Sequence, residues 1–124
     1  MNPELHFVIL RHETPAESPR PSHWDLMLEV GHALRTWAID EIPGPAPVAA
    51  DRLPDHRLAY LDYEGAISNN RGVVTRWDRG VYTTIAAEEG VWRVRLCGSQ
   101  LCGELVIDDR DQRSAITFRD ETLA

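Results

Sequence analysis

The chain breaks into short apolar runs separated by turn-forming residues, and no long stretch keeps a helical period. That pattern excludes a helical bundle and points to an all-β fold. Residues 5–11 form a nearly continuous apolar run, suited to a strand buried on both faces. Residues 24–30 alternate, and Gly31-His32 turns them into a second run at 33–39. Residues 42–48 carry Pro43, Pro45 and Pro47, which fit neither a helix nor a central strand. Further strands are expected at about 57–67, 72–77, 80–87, 91–97, 104–107 and 115–118. Asp78-Arg79-Gly80, Glu88-Glu89-Gly90 and the charge cluster at 108–113 read as turns. The one helical expectation is a short piece around 49–53, limited by Pro54. Many short strands in a small chain favour a closed or nearly closed β-barrel, because closure removes exposed strand edges.

At 124 residues the chain fits one domain, 1–124. No apolar run approaches the roughly 20 residues that span a bilayer. The run at 7–10 is too short for a signal-peptide core and lacks a basic flank. The expectation is a folded, cytoplasmic protein without a membrane partner. The net charge of −7 argues against extensive duplex binding, which needs a basic surface. It is compatible with a site that needs only a few cations around one phosphate. Cys97 and Cys102 flank Gly98-Ser99-Gln100-Leu101, a spacing that reads as a hairpin turn placing the thiols near each other. A zinc site would need more ligands, so reduced strand cysteines are expected.

The chemistry concentrates in His23-Trp24-Asp25-Leu26-Met27-Leu28-Glu29. On a strand, His23, Asp25, Met27 and Glu29 share one face, while Trp24, Leu26, Leu28 and Val30 share the apolar other. The imidazole and carboxylate are then about 7 Å apart along the strand, close enough to converge on one ion. His12 ends the first run; if the two strands are neighbours, it completes a set of two imidazoles and one carboxylate. The simpler account makes each histidine a solvated or hydrogen-bonded strand-end residue. His56 and Tyr60 are four apart, so a regular strand would give them one face from which both donate to phosphate oxygens. The simpler account makes His56 a turn residue and Tyr60 a rim tyrosine. Trp24, Trp37, Trp77 and Trp92 read as core or surface packing before they read as base-stacking platforms. Glu29 and Glu64 fit either support of the ligands or solvated strand ends.

In order along nearly the whole chain, the sequence resembles the 3′-phosphoesterase domain of bacterial DNA ligase D and its stand-alone relatives. The stretches that carry the resemblance are Phe7-Val8-Ile9-Leu10-Arg11-His12, His23-Trp24-Asp25-Leu26-Met27-Leu28-Glu29 and Leu34-Arg35-Thr36-Trp37-Ala38-Ile39. They continue through Asp55-His56-Arg57-Leu58-Ala59-Tyr60, Asp62-Tyr63-Glu64-Gly65 and Trp77-Asp78-Arg79-Gly80, ending near Val94-Arg95-Leu96 and Leu101-Cys102-Gly103. The resemblance implies a compact β-barrel that trims DNA or RNA/DNA 3′ ends, removing a terminal ribonucleoside or a 3′-phosphate. It implies a divalent metal, manganese before zinc or another ion, held by His12, His23 and Asp25. His56 and Tyr60 match the family's phosphate-contacting pair. DNA-repair ligase or polymerase proteins are the implied protein partners.

Three departures accompany the match. Met27 stands where the family has an arginine able to clamp a phosphate; Arg71, Arg76 and Arg11 are the candidates to replace it. The link 14–22 is long, carries Pro15, Pro19 and Pro21, and is expected to be a mobile rim loop with Arg20 as a substrate contact. The loop before Trp77-Asp78-Arg79-Gly80 is shortened to Ser68-Asn69-Asn70-Arg71-Gly72, and the basic arm that often precedes the domain is not expected. These departures set a phosphoesterase against a catalytically weak end-binding module of the same fold, with a purely structural role in a repair complex as a third reading.

Overall fold

The computed structural model describes residues 4–121. Nine strands follow in order: β1 (Leu5–Glu13), β2 (His23–Val30), β3 (Ala33–Ile39), β4 (Val48–Arg57), β5 (Gly65–Ala66), β6 (Val73–Glu88), β7 (Val91–Gly98), β8 (Cys102–Asp108) and β9 (Ser114–Asp120). Eight of them form an antiparallel ring, β1-β2-β3-β4-β9-β8-β7-β6, which returns to β1 through the β1–β6 pairing. The two-residue β5 hangs on the start of β6. The seam is β4 against β9, where only Val48, Ala49 and Ala50 find partners. The expected barrel is therefore nearly closed.

Alternation gives each strand two faces, and both are used. Phe7 and Ile9, Leu26 and Leu28, and Trp37 and Ile39 join residues from every other strand of the ring in one buried cluster, which fills the barrel. Val8, Leu10, Met27, Leu34 and Val74 lie on the opposite, outer face and form a second cluster with Leu61. Hence Phe7, Val8, Ile9 and Leu10 are all fully buried, as their continuous apolar run predicts.

The cover over the outer face corrects the strand expected at 57–67. After β4 the chain makes a 3₁₀ turn at Leu58–Leu61, then forms only the short β5. Residues three apart eclipse in a 3₁₀ turn, so Leu58 and Leu61 both press onto the outer cluster, beside Tyr60 and Ile67. Packing of the outer face wins over strand propensity in this segment.

Two other expectations fail for nonlocal reasons. The helix expected around 49–53 is instead part of β4, paired to β3 and β9. Pro54 does not break that strand. Leu34 faces His56 and Thr36 faces Leu53, so Pro54 and Asp55 oppose Arg35 alone in a bulge, where no ladder donor is needed. The two strands and turn expected between 72 and 87 are a single strand, β6. Asp78 does not turn the chain. Its buried carboxylate accepts the amides of Arg79, Ser99 and Gln100 at Oδ1 and of Leu101 at Oδ2, so it holds the β7–β8 turn. Gly80 lies where β7 crosses closest: a Cβ there would sit 2.0 Å from the Cys97 carbonyl oxygen.

Gly80→Ala should therefore destabilise the protein by about 2 kcal/mol or more in urea unfolding, since neither backbone can yield without breaking the ladder. An unchanged midpoint would contradict this register.

Candidate metal centre

The antiparallel register sets His12 directly opposite His23 and Leu10 opposite Asp25. Two residues along β2, Asp25 shares the outer face with His23, so its carboxylate lies between the two imidazoles. Asp25 Oδ2 is 3.0 Å from His12 Nδ1, and Asp25 Oδ1 is 3.0 Å from His23 Nε2. The ring centroids are 4.8 Å apart. Among the described residues, these three are the group whose donor atoms converge on one point, all within 4.8 Å of one another.

The remaining ring nitrogens fix what the converging ones must be. His12 Nε2 lies 2.8 Å from the Arg71 carbonyl, and His23 Nδ1 lies 2.8 Å from the Pro21 carbonyl. A carbonyl oxygen only accepts, so each of those nitrogens carries the proton. In a neutral ring, His12 Nδ1 and His23 Nε2 then present lone pairs to a carboxylate, which repels them unless a cation lies between. A shared proton or a metal ion meets that requirement. An imidazole with its second nitrogen bonded to a carbonyl is the usual arrangement of a metal-ligating histidine. The donor set thus fits a divalent ion.

Two loops supply those carbonyls. Ser68–Gly72 is tightly wound, with Asn69 and Asn70 at φ 64° and 53° and Gly72 at φ 107°. A Cβ at Gly72 would lie 2.1 Å from the Glu13 oxygen, so glycine lets this loop press against the end of β1 beside His12. The link 14–22 is tied down rather than loose. Thr14 N donates to Ser22 Oγ, Thr14 Oγ1 donates to the Arg20 carbonyl, and the Arg20 guanidinium pairs with Asp51. Arg20, expected as a substrate contact, pairs with Asp51 at the surface.

Burial of Asp25 favours its protonated form, but hydrogen bonds from His12 and His23 outweigh it and bring the pKa down to about 2. The Asp25 hydrogen bond raises the His12 pKa against the opposing effect of burial. The carboxylate stays charged across the physiological range, and the raised His12 pKa means that a metal competes with a proton for Nδ1.

His56 and Tyr60 do not share a strand face, because the chain leaves β4 after Arg57. They meet nevertheless: the Tyr60 ring, carried on the 3₁₀ turn, contacts His56 edge-on with centroids 5.5 Å apart. His56 Nδ1 donates to the Pro54 carbonyl, which leaves Nε2 as the nitrogen free to face a ligand. Arg71 joins His56, Tyr60 and Arg57 in an open groove of about 380 Å³. Since the Arg71 carbonyl also holds His12, groove and triad adjoin. Arg57 escaped the sequence reading; its place between His56 and Tyr60 was the available signal.

The three arginines considered as replacements at Met27 fall differently. The Arg71 guanidinium bonds within its own turn, to the carbonyl and hydroxyl of Ser68. Arg76 is exposed on the outer face of β6, opposite Leu10, with its backbone amide bound by Glu64. Arg11 lies on the other face of β1, its guanidinium 4.2 Å over the Trp24 ring, and so is not brought to the triad. Of the three, Arg71 lines the groove beside the triad. Met27 itself is 1% exposed and packs in the outer apolar cluster. Glu29 binds His6 and Glu64 binds the Arg76 amide, so neither supports a triad residue.

The DNA Ligase D 3′-phosphoesterase domain profile matches residues 11–121. The chain belongs to the DNA ligase D 3′-phosphoesterase family. A curated relative is the multifunctional non-homologous end joining protein LigD of Pseudomonas aeruginosa, 34% identical over an alignment of 92 residues that covers 65% of this chain. This phosphoesterase-family chain spans 11% of that relative's length. No helix among the described residues is long and apolar enough to cross a membrane.

The pH dependence follows from the raised His12 pKa. In metal-free protein the protonated His12–Asp25 pair contributes stability that is full below the ordinary histidine pKa and lost as pH rises through the raised one. Metal binding has the opposite sign, because the proton must leave. Thermal unfolding from about pH 5.5 to 8.5 should show a Mn²⁺-induced rise in Tm that grows with pH, the underlying stabilisation reaching about 2.7 kcal/mol at a hundredfold excess over Kd. Asp25→Ala should abolish it. A shift that survives Asp25→Ala would contradict the triad.

Proposed function

We propose that this chain is a divalent-metal-dependent phosphoesterase acting on nucleic-acid 3′ ends, with manganese as the expected ion. It would remove a 3′-phosphate or a 3′-terminal ribonucleoside. The observation that carries the reading is the pairing of each triad histidine with a backbone carbonyl on one nitrogen and Asp25 on the other. Family membership supports phosphoester hydrolysis at 3′ ends in DNA repair.

A bound ion supplies positive charge for the transferring phosphoryl group and lowers the pKa of water. The chain's own groups would do the rest. Tyr60 would donate its hydroxyl to a phosphoryl oxygen. His56, held by Pro54, would present Nε2 and protonate the departing oxygen, the primer 3′ oxygen in phosphate removal and the 5′ oxygen of the released nucleoside in ribonucleoside removal. Arg57 and Arg71 would supply the local positive charge that the protein's overall balance of −7 lacks.

One observation favours a second reading, a metal-holding module that binds 3′ ends with little turnover. The place of the family arginine is a buried methionine in an apolar cluster, not a free gap awaiting a cation. A lost clamp on a charged transition state costs on the order of 3 kcal/mol, roughly a hundredfold in rate.

A primer-template carrying a 3′-phosphate or a single 3′-ribonucleotide separates the two. Mn²⁺-stimulated product formation is expected, falling at least about a hundredfold in His23→Ala and Asp25→Ala and about tenfold or more in His56→Ala. End-selective binding without product, across several divalent ions, would sink the enzyme reading in favour of the second.

A further inference from the structure

Cys97 and Cys102 lie directly opposite each other on β7 and β8, and both are free thiols. In an antiparallel ladder the two kinds of cross-strand position differ, and only the non-hydrogen-bonded kind brings side chains close. The neighbouring strands show which kind this is. The Cys102 carbonyl accepts from Glu121 on the β9 side, so its polar groups point away from β7. The Cys97 carbonyl points at Gly80 on β6, so its polar groups point away from β8. One step nearer the turn, Gly98 donates to the Leu101 carbonyl, as the alternation requires. Cys97 and Cys102 are therefore a non-hydrogen-bonded pair, the kind whose side chains lie close together.

We propose that this pair is a reversible dithiol–disulfide site, closed by exchange with a small disulfide of the glutathione class. A non-hydrogen-bonded pair has its Cα atoms about 4.5 Å apart. Disulfides span about 4.4 to 6.8 Å, with most near 5.5 to 6 Å. The bridge is thus geometrically accessible but lies at the short limit of the range. A bond formed there is strained and easily reduced, which makes it a labile site rather than a structural cystine.

Exposure assigns the order of events. Cys97 is exposed and Cys102 is partly covered, so the Cys97 thiolate attacks the incoming disulfide and releases one small thiol. The Cys102 thiolate then attacks the Cys97 sulfur, forms the cross-strand bond and expels the second small thiol. The two protein thiols lose two protons and two electrons, and the small disulfide takes them up as two thiols. Asp78 fixes the turn joining the strands through three of its amides, so the geometry for the second step exists before oxidant arrives.

The test equilibrates the folded, reduced protein with mixtures of oxidised and reduced glutathione and follows free thiols and intact mass. The expected product has lost both thiols and two hydrogens, retains no glutathione, and returns to dithiol in excess reduced glutathione. Closure from the mixed disulfide should run at least about tenfold faster in folded protein than in urea, because strand pairing supplies the effective concentration. Cys102→Ser should stop at a mixed disulfide on Cys97. Persistent glutathione on Cys97 of the native chain, a covalent dimer, or closure no faster than in urea would each overturn the proposal.

Discussion

The register of β1 against β2 is the constraint on which both the core and the candidate site depend. It places His12 across from His23, and three and five residues along it leaves Leu26 and Leu28 facing the lumen with Ile9 and Phe7. Side chains alternate with period two, so a slip of one residue would exchange the faces. His12 would then enter the apolar interior, and Phe7 and Ile9 would face out. The burial of sixteen core residues thus also holds the triad in alignment. Packing energy fixes the geometry, and the ligand atoms inherit it.

The barrel wall is used on both sides, and this shapes what the site can do. The 3₁₀ turn at Leu58–Leu61 covers the outer face and carries Tyr60 to His56 in the same movement. The cover therefore seals Met27 and builds the groove together. Arginine at position 27 would have to lead its charge out through that apolar layer, whereas methionine fills it without leaving a polar group buried. The converging donor set and the groove are separate features: the first is formed by Asp25 and its two histidines, and the second is lined by Arg57, Arg71, His56 and Tyr60.

Much of the triad was legible because it rests on local alternation. His-x-Asp on a strand, with an apolar opposite face, predicts which side chains share a side. The all-β architecture was legible for the same reason. What escaped reading was set by partners distant in sequence. Asp78 has the composition of a turn, yet it serves the amides of a hairpin 21 to 23 residues on. Pro54 looks like a stop, yet a bulge opposite Arg35 absorbs it. The carbonyls of Pro21 and Arg71 leave no trace in residue type, although they decide which nitrogen of each histidine faces Asp25.

The central claim is that Asp25 and two carbonyl-oriented histidines hold one divalent ion on the outer face of the barrel. Anomalous diffraction from crystals grown with Mn²⁺ tests it most directly. A single ion is expected, bonded to His12 Nδ1, His23 Nε2 and a carboxylate oxygen of Asp25, with the Arg71 and Pro21 carbonyls still bound to the opposite ring nitrogens. An ion held through His12 Nε2, or one seated away from Asp25, would contradict it.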